Sequence, residues 1–183
     1  MGAPNTLMTA EQLLERAGNG RAELVRGELV ELMPVGFLHS RLVGRLLSWI
    51  LMFVDKHNLG AAGTELGVIL RRDPDVVLAP DISFISRSRV EHPTSTRFFD
   101  GPPDLAVEVL SPDDRAGKTQ EKIREYLQAG TRQVWIVDAD SSTVTVYLPS
   151  GAAQVYSGKD EVPGGDVLPG FSFRPAELFH FES

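Results

Sequence analysis

The chain has 183 residues, 42% hydrophobic and 23% charged, the range of a globular protein with room for one core. Its formal charge of −7 has the wrong sign for a protein that coats nucleic acid by neutralising phosphates along its whole surface. With no cysteine, disulfides and thiolate metal sites are excluded, so a metal would be held by carboxylates, histidine or backbone oxygens, which suits magnesium or manganese.

In chain order, the first expected element is a short helix. Thr9 and Gln12 have capping-box spacing, Leu13, Leu14 and Ala17 supply an apolar stripe, and Gly18-Asn19-Gly20 stop it. Glu23-Leu24-Val25 and Glu28-Leu29-Val30-Glu31-Leu32, split by Arg26-Gly27, read as a hairpin. From 40 to about 57, Leu42, Val43, Leu46, Leu47, Ile50, Leu51 and Val54 recur at helical spacing, with Gly60 placed to close the helix. Val68-Ile69-Leu70, Val76-Val77-Leu78 and Ile82-Ser83-Phe84-Ile85 read as strands, with a turn at Asp73-Pro74-Asp75 and Pro80-Asp81 opening the third.

Residues 86–103 are polar and aperiodic, and read as a surface loop or lid. Leu105-Ala106-Val107-Glu108-Val109-Leu110 is a strand buried on both faces, interrupted by one acid. A helix from about 119 to 129, ended by Gly130, and the strand Gln133-Val134-Trp135-Ile136-Val137-Asp138 complete a βαβ unit with parallel strands. Thr143-Val144-Thr145-Val146-Tyr147 alternates and extends the sheet antiparallel, and Ala153-Gln154-Val155-Tyr156 adds an edge. Val167, Leu168, Phe171, Leu178 and Phe179 anchor the tail. No apolar run approaches the roughly 20 residues of a spanning helix, and Met1-Gly2-Ala3-Pro4-Asn5 has no basic flank, so the expectation is a cytoplasmic protein without a membrane partner.

Glu108 is the most informative residue, because a charged carboxylate within an apolar strand needs compensation. It reads either as a strand end turning to solvent before Ser111-Pro112, or as a metal ligand at the carboxyl end of a sheet strand. Asp81 is a turn residue taken alone, but beside Glu108 it forms a repelling pair that a divalent cation would relieve. Lys122 lies on the helix whose apolar face includes Ile123, Tyr126 and Leu127, where it can serve phosphate chemistry or be a solvated charge. Lys118, one turn earlier, competes for that role. Glu23 reads as an exposed hairpin residue or a third acid reaching the metal or Lys122, and His39 as a cap neighbour or a phosphate contact.

Together these stretches resemble the Uma-two family of the PD-(D/E)XK nuclease superfamily of restriction endonucleases. The matching residues are the run from Glu23 to Leu29, His39 before a long helix, Pro80-Asp81-Ile82-Ser83-Phe84, the run from Pro103 to Pro112, Glu121-Lys122 with Tyr126, Trp135-Ile136-Val137-Asp138, and Leu168-Pro169-Gly170-Phe171. The resemblance implies an α/β (α+β) fold with a mixed central sheet flanked by helices, in a single domain over 1–183 with its core at about 21–148 and a C-terminal extension at about 149–183. It implies Mg²⁺ or Mn²⁺ on Asp81, Glu108 and the Val109 carbonyl, with Glu23 and His39 lining the site. Leu110 stands two positions after Glu108, where the superfamily carries its lysine, and Lys122 on the following helix takes that place. The implied activity is metal-dependent endonucleolytic hydrolysis of DNA, with a homodimer expected for double-strand cutting. The alternative is a nuclease-fold module that binds DNA or a protein partner without turnover. A two-carboxylate glycosidase accounts for neither the lysine nor the strand placement.

Overall fold

The computed structural model describes residues 7–16, 21–90, 95–111 and 116–181. Helix α1 spans Ala10–Arg16 and opens on the expected capping box, the Thr9 N–H donating to Gln12 Oε1 at 2.9 Å and the Gln12 N–H to Thr9 Oγ1 at 3.3 Å. The glycines expected to end it at 18 and 20 lie outside the described residues. Strands β1 (Ala22–Val25) and β2 (Glu28–Glu31) pair antiparallel about Arg26 and Gly27, whose φ values of 54° and 79° match the twist of a two-residue hairpin.

Helix α2 runs Phe37–His57, starting ahead of the expected Ser40. Leu42, Leu46, Ile50 and Val54 form its fully buried stripe. Asn58, not Gly60, ends it: Asn58 adopts the left-handed conformation at φ 53° and its N–H returns to the Asp55 carbonyl at 3.2 Å. Gly60 instead belongs to a strand not foreseen in the sequence. At 21 residues, with a window of mean hydropathy 1.3, α2 is long and apolar enough by composition to cross a membrane, against expectation. Here its apolar stripe packs on a sheet.

The remaining elements are β3 (Gly60–Gly63), β4 (Val68–Arg71), β5 (Val76–Leu78), β6 (Ile82–Ser86), β7 (Phe99–Asp100), β8 (Leu105–Val109), α3 (Ala116–Ala129), β9 (Gln133–Asp138), β10 (Thr143–Tyr147), β11 (Ala153–Ser157), β12 (Val162–Pro163), β13 (Ser172–Phe173) and α4 (Pro175–Phe179). The 86–103 segment is therefore more ordered than a free loop: it holds a 3₁₀ turn at Arg87–Arg89 and strand β7, which pairs with β4. Residues 91–94 of it lie outside the described residues.

The six-stranded sheet has the order β11-β10-β9-β8-β6-β3, and the five-stranded sheet β2-β1-β5-β4-β7. β8 and β9 are parallel, joined through α3, as the βαβ pattern requires; β10 and β11 extend the sheet antiparallel. One face of the larger sheet, with Val107, Trp135 and Val137, packs against α2 and the C-terminal residues Leu168, Phe171, Phe173 and Leu178. Its other face, with Ala106, Val134 and Ile136, meets Ile123 and Tyr126 of α3 together with Val68, Val76 and Leu78 of the smaller sheet. Helix α1 covers the far side of that smaller sheet through Leu13, Leu24 and Val77. Helix α3 is thus wedged between the sheets, and its buried Glu125 is tied to Arg71 at 3.4 Å and Arg26 at 3.6 Å.

Candidate active site

Strand register brings the two acids together. β6 and β8 are antiparallel with Ile82 opposite Val107, so the residue before Ile82 and the residue after Val107, Asp81 and Glu108, come side by side at one end of the sheet. Leu105, Val107 and Val109 face α2 while Ala106 faces α3, so alternation sends Glu108 to the α3 side. The solvent-facing reading of Glu108 is set aside, since its side chain is only 13% exposed.

Lys122 meets it there. Its Nζ lies 3.3 and 3.4 Å from the two Glu108 oxygens and 2.9 Å from Glu23 Oε1. Four residues along the same helix face, the Tyr126 hydroxyl donates to Glu108 Oε1 at 2.8 Å. Glu23 is 1% exposed rather than an open hairpin residue, and its Oε1 also accepts the Ala79 N–H at 3.0 Å. Lys118 is exposed, and among the described residues the ion pairs of Glu23 and Glu108 are made by Lys122.

His39, in the first turn of α2, reaches the site from the other side of the sheet end. Its Nε2 lies 3.2 Å from Asp81 Oδ2, and that oxygen also accepts the Val109 N–H at 2.7 Å. The N–H and C=O of one strand residue project to the same edge, so the Val109 carbonyl also faces this side. The five side chains singled out in the sequence thus converge in two linked groups, His39 with Asp81 and Glu23 with Lys122 and Glu108. Tyr126 and the Ala79 N–H are members that sequence reasoning did not assign. The signal for Tyr126 was present in its four-residue spacing from Lys122.

Burial pushes the Glu108 carboxyl up to about 7, opposed by the Lys122 charge and reinforced by the negative charges of Glu23 and Asp81. Burial alone would lower Lys122, but Glu108 and Glu23 together raise it above its ordinary value, so its ammonium is firmly held. Burial and the Glu108 charge raise Tyr126, which keeps its hydroxyl proton available for the carboxylate. For His39, burial acts downward, but the hydrogen bond and charge of Asp81 raise it overall.

As metal donors, Asp81, Glu108 and the Val109 carbonyl are all hard oxygens on adjoining strands, the chemistry that suits magnesium or manganese. Among the described residues no three His, Asp or Glu side chains converge as a cage. Two carboxylates and a carbonyl completed by water is the habit of magnesium rather than of an all-protein site.

Comparison with known proteins bears on this arrangement. The Uma2 (Uma-two) family, described as "Putative restriction endonuclease", matches residues 10–177. A crystal structure of a "putative nuclease" from Anabaena variabilis is similar with a TM-score of 0.81 and 26% identity, covering 94% of this chain and 97% of that one. No curated protein matches the chain. The family match spans nearly every element described above, and the structural match shares the mixed α/β architecture that carries the acids and the lysine. The chain therefore belongs to the Uma2 family and has a restriction-endonuclease-like nuclease fold.

Proposed function

We propose that the protein is a metal-dependent nuclease that hydrolyses phosphodiester bonds in DNA, with Asp81, Glu108 and Lys122 at its centre. The observation that carries this reading is a lysine ammonium fixed 2.9 Å from Glu23 and 3.3 Å from Glu108, beside a second carboxylate on the neighbouring strand. Asp81, Glu108 and the Val109 carbonyl would hold Mg²⁺ or Mn²⁺, which when bound supplies polarisation of the phosphate and a more acidic water.

The chain's own groups do the rest. Glu23 and Glu108 hold Lys122 protonated, and its Nζ donates to a non-bridging phosphate oxygen or orients the attacking water. His39 donates through Nε2 to Asp81 and fixes its carboxylate. Attack is in line: the water oxygen bonds to phosphorus while the opposite ester P–O bond breaks. The water's proton passes to solvent, and the departing sugar oxygen takes one from solvent. The alternative, a nuclease-fold module that binds without turnover, draws on Leu110 standing where the superfamily's strand lysine belongs.

The test is Mg²⁺- or Mn²⁺-dependent cleavage of single- and double-stranded DNA, alongside Mn²⁺ binding followed by electron paramagnetic resonance. Asp81→Ala and Glu108→Ala are expected to lose both cleavage and the bound Mn²⁺ signal. Mn²⁺ binding by the wild type with no cleavage of any DNA would support the silent module. Cleavage surviving both substitutions would sink the assignment of the site. Tyr126→Phe keeps the buried ring but removes the donor to Glu108, so Mn²⁺ affinity is expected to fall by about 10- to 100-fold with little change in thermal midpoint.

A further inference from the structure

Strand register carries a second basic group to the acid–lysine site. β1 and β5 are antiparallel with Leu24 opposite Val77, and the same register continued places Arg21 opposite Pro80, the residue before Asp81. The ladder between β1 and β2 reaches as far as Arg21, whose carbonyl accepts the Leu32 N–H at 2.9 Å. Alternation puts Arg21 on the face of Glu23, opposite that of Leu24 beneath α1. Arg21 and Glu23 thus leave one face of the strand about 7 Å apart, two residues along it.

The groups around Arg21 tie it to the same strand end. Its Nε lies 3.3 Å from Glu65 Oε2, and the Glu65 N–H donates to the Pro80 carbonyl at 3.1 Å. Glu65 holds a φ of 54°, in the left-handed region that few residues other than glycine occupy. Backbone outliers of this kind gather at ligand sites, and this one is held by Pro80 and Arg21. After burial, Asp81 and the Val109 backbone, the Arg21 charge also acts on His39, opposing its protonation, so the guanidinium lies within electrostatic reach of the His39–Asp81 pair. The site has use for such a group. Glu23, Asp81 and Glu108 face one ammonium, and a bound divalent cation would bring them only to neutrality, whereas a nucleic-acid strand arrives with a charge on every phosphate.

We propose that Arg21 is a substrate-binding residue of this site, exchanging Glu65 for the backbone phosphate next to the one held at Lys122. Arg21 is 30% exposed and Glu65 51%, and an ion pair this open to water contributes little to the fold and yields to a better anion. The guanidinium fork matches two phosphate oxygens at once, which a single carboxylate contact through Nε does not use. The contact is to the backbone alone, so it fixes the strand over the acids without reading a sequence. This inference rests on the nuclease reading of the adjoining site.

The experiment is fluorescence anisotropy of labelled single-stranded and duplex DNA over a salt series, with EDTA present to prevent turnover, beside cleavage in Mg²⁺ or Mn²⁺. Arg21→Ala is expected to weaken binding by about 10-fold, the loss of one charge-assisted contact, and to lower the salt slope by about one. Arg21→Lys keeps a point charge and should keep the slope. Glu65→Gln is expected to tighten binding by about 1.5- to 5-fold, because it removes the competing anion. A merely structural ion pair predicts the other sign, both partners' variants weakening binding alike. Where binding without metal is too weak to read, the same slopes are taken from cleavage rates at DNA concentrations below KM.

Unchanged affinity and slope in Arg21→Ala, in a protein whose wild type cleaves, would overturn the phosphate contact and leave the nuclease reading standing. Weakening by Arg21→Ala and Glu65→Gln to the same degree would likewise overturn it and return the pair to the fold. The predicted opposite signs in a protein that cleaves no DNA would uphold the contact and sink the nuclease reading instead. Neither binding nor cleavage of DNA by the wild type would overturn both.

Discussion

Lys122→Met is expected to lower DNA cleavage by about two to three orders of magnitude, the usual cost of removing one donor aimed at developing charge. The same substitution is expected to destabilise the fold by about 3 kcal/mol, because it removes the cation from between two carboxylates. Glu23 is the more exacting of these, being 1% exposed, while Lys122 keeps a quarter of its side chain in contact with water. Pairing the change with Glu23→Gln separates the two effects. The double variant should regain much of the lost urea resistance, since a neutral amide replaces the stranded charge, but none of the cleavage. A double variant no more stable than Lys122→Met would show that the ion pair is not the source of the instability.

Trp135→Ala should produce the largest loss of stability, about 3–5 kcal/mol, read as a fall in the urea midpoint. The indole is fully buried, and its ring centre lies 5.6 Å from that of Phe173 and 6.3 Å from that of Phe171, nearly parallel to the latter. Its N–H donates to Gln133 Oε1 at 2.9 Å, so truncation also leaves a buried acceptor without its partner. The side chain faces α2, away from Glu108, so the fraction that remains folded should cleave as the wild type does. A cleavage defect beyond the loss of folded protein would mean that the two faces of the sheet are coupled.

Much of this architecture was legible in the residues. The βαβ unit followed from two apolar strands around an amphipathic helix, and a lone acid in one of them marked the site. Other features were hidden for physical reasons. Lys118 and Lys122 are four apart on α3 and share a face, so periodicity could not choose between them. The turn that separates them moves one about 6 Å along the axis, out of reach of Glu108. Glu23 looked exposed because hairpins commonly keep one face wet. Here β1 is covered on both sides, Leu24 joining the core beneath α1 while Glu23 turns towards Lys122. Strand β3 is Gly-Ala-Ala-Gly, without β propensity of its own, and exists by pairing with β6. The α2 entry was missed because Phe37 and Leu38 are apolar yet exposed, the reverse of the pattern that marks a helix core.

Lys122 and Tyr126 both reach Glu108 from one turn of one helix, which Glu125 rivets to Arg26 and Arg71 on the side of the five-stranded sheet. Ammonium and phenol therefore travel as a single rigid body. Any excursion that lifts α3 withdraws both at once, so the carboxylate is either fully dressed or fully bare. Protection of the α3 amides from hydrogen exchange is, on this geometry, a direct gauge of how much of the population is competent at any moment.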